Sequence, residues 1–408
     1  MTLNRRDFVG AVTTGLPLLA GARARAAGRV KITEVKRFTL KVIRPVGTYP
    51  DFLNRPRVVN IGGGGFVEVH TDQGITGIGP DIDPSLLAGV NAVLKGKDPF
   101  DINLLAAQLY GLPTGENTVA MPVKFRGSAS VEVAVWDLIG KIAQQPLYKL
   151  WGGGRERIAP YASMLRLSTP EERAQQALHQ KQQGWKAVKV RAGYDTMKED
   201  IRLVDVIRKA VGDDYVLMVD ANKAILDYGV AQGTRWDFDR AARTALAYQE
   251  MGVWLLEEPF LRSDIDHLVE LNRLLTMNLA GGEGNHGIAE FRTLLERGAF
   301  DIVQPEIQIE GPNHLRQIAA MAQSMNRMCL PHQGDSRLGT ICTMHLIASW
   351  PETVAPYFEL FNDQPIGDYI YPFAIFEKPP VLQADGTFAL PQDPGLGVTI
   401  REDYVERT

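Results

Sequence analysis

Three short apolar runs each end on an acid: VLMVD at 216–220, VWLLE at 253–257 and LAGGE at 279–283. Asp220, Glu257 and Glu283 thus sit where β-like runs give way to loops. Two further runs end on residues able to do chemistry, FDIVQPE on Glu306 and MCLPH on His332. Apart from a longer first interval, the run ends are ~25 residues apart, close to one strand-plus-helix unit. Polar residues at the C-terminal ends of successive parallel strands are where a parallel barrel builds its active site. Three carboxylates side by side repel unless a cation joins them. Three converging hard oxygen ligands predict a divalent metal, magnesium before others, one per subunit. Glu258 is the rival to Glu257. Alternation sends the two side chains to opposite faces, so Glu257, nearer the apolar run, is the chosen ligand and Glu258 orients neighbours.

Glu306 and His332 close adjacent runs. A carboxylate bonded to one imidazole nitrogen fixes the tautomer and raises basicity, which makes His332 the candidate base. Lys189 and Arg191 flank Val190 in the run AVKVR, so both point to the same side, into a barrel. Two cations opposite three acids can balance charge or grip an anionic substrate. Arg191 cannot serve as a base near neutral pH. Lys189 could, if Arg191 and the metal depressed its pKa, but it serves equally as an electrophile. Glu359, in the run APYFELF, could donate a hydrogen bond to an oxyanion if protonated. Together these residues describe abstraction of the proton α to a carboxylate, with the enediolate held by the metal, Lys189 and Glu359.

The elements that must position them follow from periodicity. Strands are expected at 30–43, at 66–72 and in GITGIGP, separated by a Pro/Gly/Arg-rich loop at 44–65 that reads as a lid. Helices are expected at 84–95, 101–110 and 128–144. From 158 the pattern changes to eight strand-like runs, near 158, 187, 216, 253, 279, 301, 328 and 355, with seven helices between them. One of those helices starts with Thr169 as N-cap, Pro170 at its first position and Glu172 completing a capping box. Another is expected at 312–326. The fold class is therefore α/β: a (β/α)7β TIM-type barrel at 155–375, an N-terminal α+β capping domain at 28–154, and a C-terminal segment at 376–408 returning to the cap.

The first 27 residues carry Arg5-Arg6-Asp7-Phe8, a short apolar stretch and A-x-A sites. This is similar to a twin-arginine export signal, which implies a periplasmic location. Its apolar stretch is too short to span a bilayer, so no membrane association is expected after signal removal. A net charge of −4, without basic clusters interleaved with aromatics, gives no reason to expect nucleic acid. Cys329 and Cys342, the two cysteines, both lie in apolar patterns and read as buried thiols rather than a disulfide framework.

Several motifs taken jointly resemble the mandelate racemase/muconate lactonizing branch of the enolase superfamily. They are AVWDLIGK at 134–141, KxR at 189–191, DAN at 220–222, EEP at 257–259, GEG at 282–284, QPE at 304–306, PH at 331–332 and FEL around Glu359. The superfamily's general chemistry is a Lys or His base with magnesium stabilising an ene-diolate. The resemblance implies Asp220, Glu257 and Glu283 as magnesium ligands, a His332–Glu306 dyad, Glu359 as the stabilising acid, and a cap that selects a small carboxylate substrate. It also implies an even-numbered homo-oligomer. Asn222, Arg55 and Arg57 are candidate substrate contacts. Two departures matter. The usual KxK has Arg191 in its second place, which removes a second base and favours dehydration over racemisation. Glu306 stands where Asp is usual. The strand-six lysine of cycloisomerases is also missing, with Gln308 and Glu310 in that region. The expected activity is dehydration of a sugar acid to a 2-keto-3-deoxy acid. A 2-hydroxy-acid racemase or epimerase, and a non-catalytic periplasmic binder of acid sugars, are the alternatives.

Overall fold

The computed structural model describes residues 29–111, 127–224, 235–334 and 337–406. Residues 1–27, where an export signal is expected from the sequence, lie outside them. Five strands open the described chain: β1 (Ile32–Leu40), β2 (Val42–Pro50), β3 (Pro56–Gly62), β4 (Gly65–Thr71) and β5 (Thr76–Pro80). Helices α1 (Leu87–Leu94), α2 (Ile102–Tyr110) and α3 (Ala129–Ala143) and the single turn α4 (Leu147–Leu150) follow. The α3 run ASVEVAVWDLIG is buried all round because it lies between the sheet and the barrel.

Eight parallel strands come next: β6 (Arg157–Ser163), β7 (Ala187–Arg191), β8 (Val216–Asp220), β9 (Val253–Glu257), β10 (Asn278–Gly281), β11 (Ile302–Val303), β12 (Met328–Cys329) and β13 (Tyr357–Phe361). Seven helices connect them among the described residues: α5 (Pro170–Gln182), α6 (Met197–Val211), α7 (Phe238–Glu250), α8 (Ile265–Leu274), α9 (Gly287–Arg297), α10 (Ile307–Ser324) and α11 (Leu338–Ala348). Neighbouring strands pair in chain order from β6 to β12, and β13 pairs with β6. The Cys329 amide reaches the Val354 carbonyl at 2.9 Å and joins the remaining edge. This is the (β/α)7β barrel expected. Its strands are buried on both faces, which is why they read as continuous apolar runs. Both cysteines are buried thiols, as expected.

Past the barrel lie α12 (Ile370–Phe373), β14 (Phe388–Ala389) and β15 (Val405–Glu406). β15 extends the cap sheet, whose order is β15-β1-β4-β5, while β14 pairs with β6 of the barrel. The C-terminal segment thus ties the two layers together. No described helix is long and apolar enough to cross a membrane.

Three expectations are corrected. Residues 44–65 are not a loop: β2 and β3 form an antiparallel hairpin, Val42 to Gly62, that pairs with no other described strand. Pro45, Pro50 and Pro56 are tolerated because these strands are edges, and the first strand ends at Leu40 rather than 43. Helix α10 begins at Ile307, well before 312, and is broken by Gly311 at φ 65° ahead of Pro312. The capping box at Thr169 is half made. Thr169 accepts the Glu172 amide, but the Glu172 carboxylate turns to Ser168 and Arg166. A full box closes one helix later, at Thr196 and Glu199.

Candidate active site at the barrel mouth

Strand register sets the site. Arg191 of β7 is level with Asp220 of β8, and Asp220 with Glu257 of β9. Lys189 lies two residues deeper on the same face as Arg191, and both are buried. Glu283 sits two residues past β10, in the turn that precedes α9. Glu306 is the N-cap of α10, and His332 follows β12 and bridges to it in parallel.

The imidazole is oriented by its neighbour. His332 Nδ1 lies 2.7 Å from Glu306 Oε2, and Nε2 lies 3.1 Å from Glu283 Oε2. Glu306 is fixed in turn by the Gly334 amide at 2.6 Å and the Gln308 amide at 3.0 Å. With Nδ1 on the carboxylate, Nε2 is the nitrogen left to face the cavity. Burial works to lower the His332 pKa, but Glu283, the Glu306 hydrogen bond and Glu359 outweigh it and push it up to about 10. Although burial opposes it, His332, Arg262 and Arg191 hold Glu283 below the usual carboxylate range.

The two buried cations are already engaged. Lys189 Nζ lies 2.6 Å from Glu257 Oε2 and 2.8 Å from Glu359 Oε1, over the ring of Tyr161. Arg191 pairs with Asp220 and donates to the Met164 carbonyl at 3.0 Å. Burial alone would lower the Lys189 pKa. Glu257 and Glu359 reverse that and raise it, so in this arrangement Lys189 is a cation and not a base. The depression expected from Arg191 is the weaker effect. Glu359 differs from expectation likewise. Burial would raise it, but Lys189 and His332 hold it down at about 2, so here it is ionised and accepts the Gln333 amide at 3.2 Å.

As they stand, no three His, Cys, Asp or Glu side chains among the described residues close into a ready metal cluster. Asp220 and Glu257 are held by Arg191 and Lys189 instead. The residues nonetheless fit a hard divalent cation. Glu257 Oε1 and Gln304 Oε1 are buried with no hydrogen-bond partner among the described residues, and a hard cation is a group that such oxygens could take. Five carboxylates (Asp220, Glu257, Glu283, Glu306, Glu359) outnumber the cations Lys189, Arg191 and His332 placed against them. Glu258, at φ 46°, is turned to Arg262 at 3.0 Å, and burial with Glu283 nearby pushes it up to about 8.

Asn222 lines the cavity, but its amide groups serve Asp220: backbone N at 2.8 Å and Nδ2 at 2.9 Å donate to the carboxylate, while Oδ1 accepts from Arg191 at 3.2 Å. Arg55 and Arg57 are carried on the hairpin that roofs a cavity of about 300 Å³ with Glu283, His332 and Glu359 in its wall. Arg55 grips Asp51 with two nitrogens at 2.8 and 3.0 Å, and Arg57 Nε lies 3.5 Å from the same oxygen. The Phe52 ring covers the Arg191 guanidinium at 5.4 Å. Sequence reasoning missed Asp51, Phe52 and Gln304, whose Nε2 donates to Glu257 at 2.8 Å. Alternation could have found Gln304, two residues before Glu306 in one run. Nothing local marks Asp51.

The His332 value implies a measurable coupling. In metal-free protein the imidazole should titrate near 10, because Glu283 is ionised beside it. Adding magnesium should neutralise that carboxylate and lower the value by a unit or more, as read from the imidazole NMR signals. A titration unmoved by saturating magnesium would remove Glu283 from the ligand set.

Comparison with known proteins agrees with this geometry. Residues 171–404 match the family model described as enolase C-terminal domain-like, and 64–152 the mandelate racemase/muconate lactonizing enzyme N-terminal domain. An arabinonate dehydratase of Saccharolobus solfataricus is 27% identical over 83% of this chain and 88% of its own length. A 3,6-anhydro-alpha-L-galactonate cycloisomerase of Streptomyces coelicolor is 30% identical over 67% and 69%. Among solved structures, a Streptomyces coelicolor racemase with bound magnesium superposes with a TM-score of 0.72 at 25% identity, over 90% of this chain and 97% of that one. The chain belongs to the enolase superfamily, in its mandelate racemase/muconate lactonizing branch.

Proposed function

We propose that this protein is a magnesium-dependent acid-sugar dehydratase, converting a 2,3-dihydroxy acid to a 2-keto-3-deoxy acid. The observation that carries the reading is the pairing of one oriented imidazole, His332 on Glu306, with Arg191 in place of a second base. Racemisation needs a base on each face of the α-carbon; dehydration needs one. Asp220, Glu257 and Glu283 would hold the metal. When bound, magnesium supplies Lewis-acid polarisation of the substrate carboxylate and stabilises the charge that develops on its oxygens.

The residues do the rest. With the Glu283 charge taken up, the neutral fraction of His332 takes the α-proton at Nε2, while Glu306 on Nδ1 stabilises the imidazolium that forms. The imidazolium then returns its proton to the departing β-hydroxyl, which leaves as water. The enol so formed tautomerises to the keto acid. Lys189, kept charged by its surroundings, faces the developing enediolate as a fixed cation. Phe52 and the rest of the hairpin exclude water from Arg191.

The outer wall points to the distal end of the substrate. Asp51 faces two guanidiniums with a single charge, so Arg55 and Arg57 leave one positive charge over, and Arg57 is about half exposed toward the cavity. A substrate whose carboxylate lies at the metal would place distal hydroxyls or a second carboxylate there. Arg57→Ala should raise KM for a diacid about tenfold or more while kcat falls less. An unchanged KM would exclude Arg57 from binding.

The reading is tested by screening mono- and diacid sugars with magnesium for keto-acid formation. Relatives of this chain also include a racemase and a cycloisomerase, so the α-proton is followed in D2O. Deuterium uptake without keto acid would replace dehydration by epimerisation. Tight ligand binding without exchange or product would make the protein a binder.

A further inference from the structure

The first turn of α10 is held at both ends. At its start stands Glu306, whose carboxylate is shared by the Gln308 amide, the Gly334 amide and His332. At its end Gly311 leaves helical geometry, with φ 65° and ψ 167°. That break is filled from the other domain. Glu132 of α3 is fully buried, and its Oε1 accepts the Asn313 amide at 2.9 Å and the Trp136 indole at 3.1 Å. Its Oε2 accepts from the hydroxyl of Tyr110, the last residue of α2. A Cβ at position 311 would overlap Glu132 Oε2 and come within 2.7 Å of Tyr110 Oη, so the carboxylate occupies the space the glycine leaves. Within the same turn, Glu310 accepts the Gly287 amide at 2.7 Å and lies 2.8 Å from His314 Nδ1. Gly287 opens α9, which follows the turn that carries Glu283.

A carboxylate buried in a mainly apolar helix is costly unless its hydrogen bonds fix something. Here they fix the kink. Four residues separate Glu306 from Gly311, and a hydrogen-bonded turn passes displacement on as a rigid unit: the Ile309 and Glu310 amides both bond the Glu306 carbonyl, at 3.1 and 2.9 Å. We propose that Glu132, with Tyr110, is a positioning residue for the Glu306–His332 pair, seating the α10 kink so that the capping domain sets where the dyad stands. The proposal rests on His332 being the base. A displacement of ~1 Å in a catalytic group can cost on the order of a hundredfold in rate.

The test uses the full chain and the acid sugar turned over fastest in the screen above. Glu132→Gln keeps an acceptor for the Asn313 amide and should hold kcat within about threefold. Glu132→Ala should lower kcat at least tenfold, change KM less than threefold, and speed amide deuterium uptake in peptides covering 306–313. A folded Glu132→Ala protein with wild-type kcat, or with unchanged uptake there, overturns the proposal. So does a Gln variant as impaired as Ala. If the Ala variant does not fold, Tyr110→Phe decides: a loss of about threefold or more in kcat at constant KM supports the link, and wild-type kcat rejects it. His332→Asn is run beside them. Should it stay active, the base assignment fails, and deuterium uptake at 306–313 still judges the coupling by itself.

Discussion

Replacing His332 by Asn is expected to lower kcat for keto-acid formation by about a thousandfold or more, with KM changed only a few-fold. Among the described residues, no other group beside the cavity is suited to take over. Arg191 cannot deprotonate near neutral pH, and Lys189 is held charged between Glu257 and Glu359. Of the seven histidines, His286 and His314 surround Glu310, His345 is buried on the Leu396 carbonyl, and His70, His179 and His267 lie on Glu68, Gln183 and Asp264. Asn is short and can still bond Glu306, so the barrel end should keep its fold. Exchange of the α-proton with D2O should fall by a similar factor, since both outcomes pass through the same abstraction. A variant with more than a tenth of wild-type turnover would show that the proton leaves by another route.

The barrel was legible because its strands are buried on both faces. AVKVR, VLMVD and VWLLE each become an apolar run whose last residue must be functional or capped, and the helical spacing between them leaves few alternative topologies. The hairpin was not legible for the opposite reason. Among the described strands β2 and β3 pair only with each other, their outer residues Val42, Ile43 and Val58 are exposed, and their three prolines imitate a loop. The start of α10 was hidden by Gly311-Pro312, which reads as a stop before a helix although one turn precedes it. Glu132 was passed over inside a helix whose pattern says core. Its partners Tyr110 and Asn313 come from two other helices, and no local spacing connects them. The charge states of Lys189 and Glu359 were likewise beyond reach. Both residues were found, but which neighbour dominates depends on distances of 2.6 and 2.8 Å across the barrel.

Those distances give the second large effect. Lys189→Met should destabilise the metal-free protein by about 3–5 kcal/mol at neutral pH, because it leaves Glu257 and Glu359 buried without their cation. Against a typical total of roughly 5–15 kcal/mol that is a large fraction. The pH dependence has a definite sign. In the wild type Glu359 is depressed from 4.5 to about 2, so the pairing contributes stability above pH ~4.5 that is lost as pH falls through about 2. The shift corresponds to on the order of 3 kcal/mol. In the variant, burial acts on Glu359 without Lys189 to oppose it, so its pKa moves above the unfolded value. The variant is then penalised above that raised pKa and recovers as pH falls through it. The gap in melting temperature between the two proteins should therefore be widest near neutrality and narrow toward pH 4. Magnesium should stabilise both by binding the folded state, and the variant more, since both Glu257 oxygens become available to it. Thermal melts across pH, with and without magnesium chloride, read all three effects. A metal-free variant that melts with the wild type at pH 7 would mean that Lys189 does not hold the two carboxylates in solution. The same variant should also lose turnover, because the cation that faces the enediolate is gone, and magnesium should restore its stability without restoring its rate.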